Sequence, residues 1–180
     1  MTIELVREKI MEAKKGRDFG YFQSYFKTHP DGIKFLVKVI ANEELYPLKE
    51  YSSWIVVHLC KSQPEQITPF YRNFVDILFK SNDQTVLRNV ANIISHLKVQ
   101  SYKESQLVDL LLGFIQEHSH KVALHVYSMQ ILAQIVLKYP ELKQEIIEVI
   151  ELNDKDKTPA YNAGKRNFLK KTKKIKIERY

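Results

Sequence analysis

The stretch NDQTVLRNVANIISHL, residues 82–97, begins with polar residues and continues as a helical pattern. Arg88, Ala91 and Ile94 recur at steps of three, the spacing that aligns side chains on one face of an α-helix. The stretch is therefore either a single amphipathic helix or one copy of a repeated helix. Comparison of the sequence with itself distinguishes these two interpretations.

A similar helix occurs three times along the chain. In each copy an aliphatic residue follows a small residue by three positions: Ser53 and Val56, Ala91 and Ile94, Ser128 and Ile131. The small residues are 38 and 37 positions apart. A period of this length indicates an array of helix pairs, in which stacked copies bury one another's apolar faces.

Helix starts repeat as well. Segments beginning at Thr28, Ser62 and Ser101 match the Ser/Thr-x-x-acid pattern of a capping box, and Lys138-Tyr-Pro-Glu141 keeps the proline and the acid. The predicted pairs are 18–27 with 30–41, 51–61 with 64–80, 86–98 with 104–117, and 123–138 with 141–152. A leading helix near 3–15 and a trailing helix near 159–172, introduced by Thr158-Pro159, complete the prediction, and the link 42–51 is expected to be irregular.

The fold class that these patterns predict is all-α. We expect one domain over residues 1–180, built as a right-handed α-α superhelix of about four to five helix pairs. The chain is 44% hydrophobic and 27% charged, as is typical of globular proteins, and no run of 18 apolar residues indicates a membrane helix. The single cysteine, Cys60, lies in an apolar helix, so we expect a buried thiol and a cytoplasmic protein.

The positive charge is concentrated at the C-terminal end. Residues 165–180 contain eight Lys or Arg and one Glu, and the other residues contain equal numbers of basic and acidic groups. The candidate basic patch consists of Arg166, Lys170, Lys171, Lys173, Lys174 and Lys176. It is either a solvated end that caps the array or a surface that contacts nucleic acid or an acidic protein.

No pattern of catalytic chemistry stands out. The sequence lacks glycine-rich phosphate loops, a nucleophile-elbow motif and His-Glu-x-x-His. His58 and His96 hold equivalent repeat positions without a third metal ligand at a suitable spacing. Glu145, Glu148 and Glu151 form a stripe that is either a solvated face or a surface for a basic partner. We therefore predict no catalytic, cofactor-binding or metal-binding residue.

Asp83, Val86, Arg88 and Ala91 resemble the helix junction of HEAT repeats, with one extra residue between the valine and the arginine. The resemblance covers roughly residues 16–170, and VYSMQILAQIVLKYPELKQEI also resembles small stand-alone bacterial HEAT/armadillo-like proteins of unknown function. The label adenylosuccinate lyase, which is associated with that group, does not fit the residues. Those lyases use a mobile Ser-Ser-x-x-x-Pro loop, whereas Ser52-Ser53 runs into a predicted helix.

The resemblance implies a non-catalytic scaffold that binds another protein through a groove formed by the second helix of each pair. Candidate partner-binding residues are Arg72, Asn73, Asp109 and Gln116. Arg88 is expected to brace adjacent repeats by hydrogen-bonding either a helix C-terminus or a carboxylate, with Asp76, Asp83 or Asp109 as the acid. The alternative is nucleic-acid binding through the basic C-terminal end, by analogy with HEAT-like DNA alkylation-repair proteins. The partner protein is unknown, and no membrane partner is expected.

Overall fold

The computed structural model describes residues 3–16, 24–25, 28–29, 31–153 and 158–175. These residues form helices joined by short turns, and none of them lies in a β-strand. The all-α prediction is confirmed. Of the described helices, none is both long and apolar enough to cross a bilayer.

Nine of the described helices have ten or more residues. They are α1 (Ile3–Gly16), α2 (Asp31–Ile40), α3 (Leu48–Ser62), α4 (Tyr71–Lys80), α5 (Gln84–His96), α6 (Glu104–Gln116), α7 (Val122–Lys138), α8 (Lys143–Leu152) and α9 (Pro159–Thr172). Most of the predicted helices match these bounds within about three residues, and the trailing helix 159–172 is confirmed. Most of the predicted helix 18–27 lies outside the described residues.

Two predicted helices begin differently because of proline. The prediction of one helix over 64–80 is wrong: a single turn, Pro64–Ile67, and a 3₁₀ turn, Thr68–Phe70, precede α4. The 3₁₀ turn Pro140–Leu142 likewise precedes α8. Proline has no N–H for a helical hydrogen bond, so it is accommodated in a first turn and interrupts a longer helix.

The capping boxes predicted at Ser62 and Ser101 are wrong. Ser62 is the last residue of α3, and its hydroxyl donates back to the carbonyl oxygens of His58 and Leu59. Side-chain caps occur instead at Asp83, before α5, and at Thr158, before α9. Thr28 donates its hydroxyl to the Tyr25 carbonyl rather than receiving a backbone N–H from α2.

The chain divides into two compact units, Met1–Leu97 and Lys98–Tyr180. In the first, α3 packs against α2 and α5, and α4 packs against both α2 and α5. On the packed helices α3 and α5, the repeated small and aliphatic residues Ser53, Val56, Ala91 and Ile94 are all fully buried. Alternate helices are thus neighbours, as the repeat predicts: α3 with α5 and α2 with α4.

In the Lys98–Tyr180 unit, α7 packs against α6 and α9, and α6 packs against α8. Gly164 of α9 permits a close approach, since a Cβ atom there would lie 3.1 Å from Val126 Cγ2 and 3.2 Å from Met129 Sδ. Tyr161 of α9 donates its buried hydroxyl to the Ile150 carbonyl at 2.9 Å. We refer to α3, α5, α7 and α9 as the first helices, and to α2, α4, α6 and α8 as the second helices.

Candidate functional site

A buried lysine joins two first helices of the Met1–Leu97 unit. Lys49, the second residue of α3, is 4% exposed, and its ammonium contacts the carboxylates of Glu43 and Asp83, the latter at 3.3 Å. Asp83 Oδ1 also accepts the backbone N–H groups of Thr85 and Val86 at 2.8 and 3.1 Å. The Asp83 carboxylate therefore caps α5 and at the same time holds the start of α3.

The charge state of Lys49 indicates a structural role. Burial alone would lower the pKa of its ammonium, but the hydrogen bonds to Glu43 and Asp83 raise that pKa above the usual value. A lysine that acts as a base or nucleophile needs a lowered pKa. Lys49 thus remains charged and serves as an ionic link between helices.

Arg88, the brace predicted from sequence, has a different partner from the one expected. Its Nε and Nη2 atoms each donate to Asn89 Oδ1 at 3.3 Å, and Asn89 Nδ2 donates to Ser53 Oγ at 2.8 Å. Asp83, one of the acids expected for Arg88, pairs with Lys49 instead. Arg88 thus reaches α3 through Asn89, and its role as a brace stays a prediction.

The Lys98–Tyr180 unit has its own charged link between helices. Lys138 Nζ, at the end of α7, donates to Glu104 of α6 at 2.8 Å and to Ser101 Oγ at 2.8 Å. The Tyr139 hydroxyl donates to the same carboxylate at 2.9 Å. The hydrogen bond from Lys138 is the main cause that lowers the pKa of Glu104. Ser101 and Glu104 therefore tie α6 to α7, which is why they form no capping box.

Sequence reasoning missed Lys49 and Lys138, although a signal for both was present. Lys49 precedes Asp83 by 34 positions, and Glu104 precedes Lys138 by 34 positions. Opposite charges nearly one repeat apart are placed near each other when the helices of successive repeats pack together. A search for such charge pairs would have found both links.

The four predicted partner-binding residues are exposed on second helices: Arg72, Asn73, Asp109 and Gln116. Asn73 lines a cleft of about 210 Å³ between α2 and α4, together with Lys38, Asp76 and Lys80. Asp109 lines a cleft of about 270 Å³ in the Lys98–Tyr180 unit. Arg72 and Gln116 line neither cleft.

The cleft at Asp109, which we call the acidic cleft, lies between α6 and α8 beside the end of α7. Its carboxylates belong to Glu104, Asp109, Glu141 and Glu145. Its apolar side chains are Val108, Ile135 and Leu142. Val108 and Ile135 are buried and form the floor, while Asp109, Glu141 and Glu145 are exposed around it.

The candidate basic patch follows the exposed side of α9 and the turn after it. Arg166, Lys170, Lys171, Lys173 and Lys174 are exposed, and Lys176 lies outside the described residues. On the other side of α9, Tyr161, Gly164, Phe168 and Thr172 are buried. Lys143 of α8 donates to the Ile175 carbonyl at 2.8 Å, which fixes the backbone just after α9. Residues 165–172 are thus an integral part of a packed helix.

His58, His96 and His125 each have different neighbours in the structure. His58 packs edge-on against Trp54, and His96 Nδ1 lies 2.9 Å from the Asn92 carbonyl oxygen. His125 is buried, with Nε2 3.3 Å from the Glu117 carbonyl oxygen. Burial is the main cause that lowers the pKa values of His58 and His125. Within the described parts of the chain, no group of three His, Cys, Asp or Glu is arranged to hold a metal ion.

A family described as HEAT repeat domain matches residues 20–172, which is most of the chain. No curated protein and no solved structure matches the chain. The match agrees with the packing of alternate helices within each unit and with the junction residues Asp83, Val86, Arg88 and Ala91.

Proposed function

We propose that this chain, which belongs to the HEAT repeat family, is a non-catalytic scaffold that binds another protein through the exposed surface of its second helices. HEAT repeats in general form scaffolds that mediate protein interactions. The observation that carries the proposal is the placement of Asn73 and Asp109. Each is exposed on a second helix and lines a cleft in its own unit.

The clefts support a protein partner better than a small substrate. Small-molecule sites are usually enclosed pockets of about 300–1,000 Å³ with a few converging polar groups. The two clefts are smaller, at about 210 and 270 Å³. A protein surface can use such shallow concavities for individual side chains, while exposed neighbours such as Arg72 and Gln116 contribute at the rim.

Affinity capture with a surface variant tests this proposal. The full chain is used as bait in native lysate at low and high salt, beside a variant in which Arg72, Asn73, Asp109 and Gln116 are all replaced by Ala. We expect the unmodified chain to retain specific proteins that the fourfold variant does not retain. These side chains are exposed, so the variant should keep the helical content and melting temperature of the parent.

A matched control replaces four exposed residues outside the second helices. Glu44→Ala, Lys61→Ala, Asn82→Ala and Ser119→Ala remove one acid, one base and two neutral polar groups, as the test variant does. This control should retain the captured proteins. The absence of any specific partner at both salt concentrations, or equal capture by both variants, would contradict the proposal.

Nucleic-acid binding is the second candidate, favoured by the exposed cations of α9. Arg166, Lys170, Lys171, Lys173 and Lys174 are exposed, and Lys and Arg side chains of this kind bind phosphate groups. Against it, the second-helix clefts are not basic: the acidic cleft contains four carboxylates and no lysine or arginine. The cations of the C-terminal end would have to provide the affinity alone.

Substitution tests this candidate better than truncation. Deleting residues 165–180 would remove Phe168, which is 1% exposed against the rest of its unit, so failure to bind could reflect misfolding. Replacing Lys170, Lys171, Lys173 and Lys174 with Gln keeps that packing. If the candidate is correct, duplex binding at low salt falls strongly, and the slope of log K against log salt becomes shallower by roughly 0.9 for each phosphate that is no longer neutralised. An unmodified chain that binds no duplex at low salt would exclude it.

The proposal includes a cytoplasmic location. Cys60 is the only cysteine of the chain and is a free, buried thiol, the state that a reducing compartment maintains.

A further inference from the structure

We infer that the acidic cleft of the Lys98–Tyr180 unit binds a lysine- or arginine-rich segment of a partner protein. This inference rests on the proposed function and specifies the chemistry of the partner. The relevant groups are the carboxylates around the cleft and the apolar floor between them, which together match a basic side chain with an aliphatic stem.

The charge of the cleft is largely uncompensated. Among the described residues, the carboxylates of Asp109, Glu141 and Glu145 form no side-chain hydrogen bond or ion pair. Glu104 is the exception, because Lys138 neutralises it at 2.8 Å. Lys143, which is close in sequence to Glu141 and Glu145, donates to the Ile175 carbonyl instead. Three exposed carboxylates of the cleft therefore have no cation partner within the part of the chain that the structure describes.

The floor of the cleft determines what kind of cation fits. Val108 is 7% and Ile135 is 1% exposed, so the carboxylates surround apolar rather than polar surface. Lysine and arginine side chains have aliphatic stems that pack on apolar surface while their charged ends stay near carboxylates and water. A volume of about 270 Å³ suits one or two such side chains better than a whole small molecule.

The cleft of the Met1–Leu97 unit has no such preference for positively charged side chains. The cleft between α2 and α4 contains Lys38 and Lys80 as well as Glu43 and Asp76, so its charges are balanced. Glu43 is moreover paired with Lys49. Surfaces of one sign attract and orient partners of the opposite sign, whereas balanced surfaces do not. The charge pattern therefore assigns the basic segment to the acidic cleft.

The inference is tested with labelled peptides and the full chain. The probe is a fluorescein-labelled peptide of alternating Lys and Ile, and the comparison peptide has Glu in place of Lys. Binding is followed by fluorescence anisotropy at ionic strengths of about 0.05 and 0.3 M, because attraction between exposed charges weakens as the Debye length falls. We expect the Lys peptide to bind at low salt and the Glu peptide not to bind.

The decisive variant carries Asp109→Asn, Glu141→Gln and Glu145→Gln. It should bind the Lys peptide at least about tenfold more weakly than the unmodified chain at low salt. A control that carries Glu8→Gln, Glu44→Gln and Glu65→Gln changes the net charge equally at exposed positions of the other unit, and its affinity should stay within about twofold. Circular dichroism and melting temperature establish that all variants fold alike.

Three outcomes would overturn the inference: no binding of the Lys peptide, equal weakening by both triple variants, or unchanged binding by the cleft variant. A fourth is a dimer that forms in the unmodified chain and is absent in the cleft variant, which would make a second copy the occupant. Failure of the proposed function looks different, because affinity capture would then return no partner. If partners are captured and the cleft variant retains them all, the scaffold function stands and this site does not.

Discussion

Cys60 illustrates how burial determines the chemistry of a single residue. Its thiol, in α3, is 2% exposed and lies 3.7 Å from the Ile93 carbonyl oxygen of α5. Burial raises the pKa of this thiol to about 11. The thiolate is the reactive form of cysteine, so at neutral pH almost none of the reactive species is present.

We therefore expect Cys60 to react with a disulfide reagent such as DTNB far more slowly in the folded chain than in denaturant. The reaction is followed by absorbance at neutral pH, with a small thiol of ordinary pKa as the reference. Because opening of the α3–α5 contact is required, the rate should track conditions that destabilise the fold. Rapid labelling of the native chain, at the rate of the reference thiol, would be inconsistent with this environment.

Lys49 and Lys138 form links of the same charge type at very different exposure. The Lys49 side chain is 5% exposed, whereas that of Lys138 is 46% exposed. Removing a buried, hydrogen-bonded charge leaves its partners without compensation, whereas exposed ion pairs contribute little. Lys49→Met should therefore lower the free energy of unfolding by roughly 1–3 kcal/mol.

Lys138→Met is the matched comparison and should cost distinctly less. Both values come from urea unfolding followed by far-UV circular dichroism. Trp54, the only tryptophan, provides a second probe that is confined to the Met1–Leu97 unit. If the two variants are destabilised to the same extent, the distinction between a buried link and an exposed one is wrong.

At the scale of helices, α6 and α9 each contain one glycine with a different packing environment. A Cβ atom at Gly113 would meet nothing within 4 Å, whereas one at Gly164 would meet Val126 and Met129 at 3.1 and 3.2 Å. Alanine is favoured over glycine within a helix by about 1 kcal/mol. The two positions thus separate the intrinsic preference of a helix from the cost of crowding at a helix contact.

We expect Gly113→Ala to raise the free energy of unfolding by about 0.5–1 kcal/mol. Gly164→Ala should lower the free energy of unfolding by about 1 kcal/mol. A methyl group forced between packed helices typically destabilises the protein by more than the higher helix propensity of alanine stabilises it. Chemical unfolding of both variants in one buffer gives the comparison. Stabilisation by both substitutions to the same extent would show that α9 is not closely packed on α7.

His125 links the turn after α6 to the packing of α7 and α9. The buried ring faces the Tyr161 ring edge-on at 6.0 Å and lies near the Glu117 carbonyl, and the charges of His118 and His120 oppose its protonation. Its folded-state pKa is below the ordinary value of 6.5, chiefly because of burial. The unfolded chain therefore binds protons at a higher pH than the folded chain, and stability must fall as pH decreases through this region.

Between pH 7.5 and 5 we expect the free energy of unfolding to decrease, with a slope of at most about 1.4 kcal/mol per pH unit from each such histidine. His125→Gln should be less stable at pH 7.5 but should show a shallower dependence on pH. His58, whose pKa is also lowered, remains in the variant and accounts for the residual slope. An unchanged slope in the variant would exclude His125 as a source of acid sensitivity.

At the scale of the whole chain, the sequence predicted the helices well and their polar contacts poorly. Apolar spacing and the repeated positions of Ser53, Ala91 and Ser128 depend on burial, which is periodic and strong, so helix existence and most helix bounds could be predicted. The Ser/Thr-x-x-acid patterns did not predict the helix caps correctly. Ser62 and Ser101 match the local pattern, but their hydroxyls have alternative partners. The partners of Ser62 lie one turn back in its own helix, and the partner of Ser101 is Lys138 of α7, so the Ser/Thr-x-x-acid pattern alone does not decide which contact forms.

For the candidate surfaces, the exposure of single residues was predictable from sequence, whereas the grouping of side chains from different helices was not. Exposure of Asp109 on the outer face of α6 follows from helical periodicity and could be predicted. The acidic cleft could not, because it joins side chains of α6, α7 and the start of α8. Lys138 compensates only Glu104 of this cleft, and Lys143 donates to the Ile175 carbonyl instead of to a cleft carboxylate. Sequence spacing predicts which residues share a face of a helix. Three-dimensional packing decides which charged side chains pair with each other.

The order of charges along the chain limits how such an array could be lengthened. In the first unit the lysine precedes its acid, Lys49 before Asp83, whereas in the second the acid precedes its lysine, Glu104 before Lys138. A duplicated or exchanged repeat would carry over only one member of each pair. The inserted repeat would bring an unmatched charge to each junction, and the buried Lys49 would lose Asp83 and keep only Glu43 as its carboxylate partner. Genetic recombination or engineering that inserts a repeat here must therefore transfer both partners of a pair together.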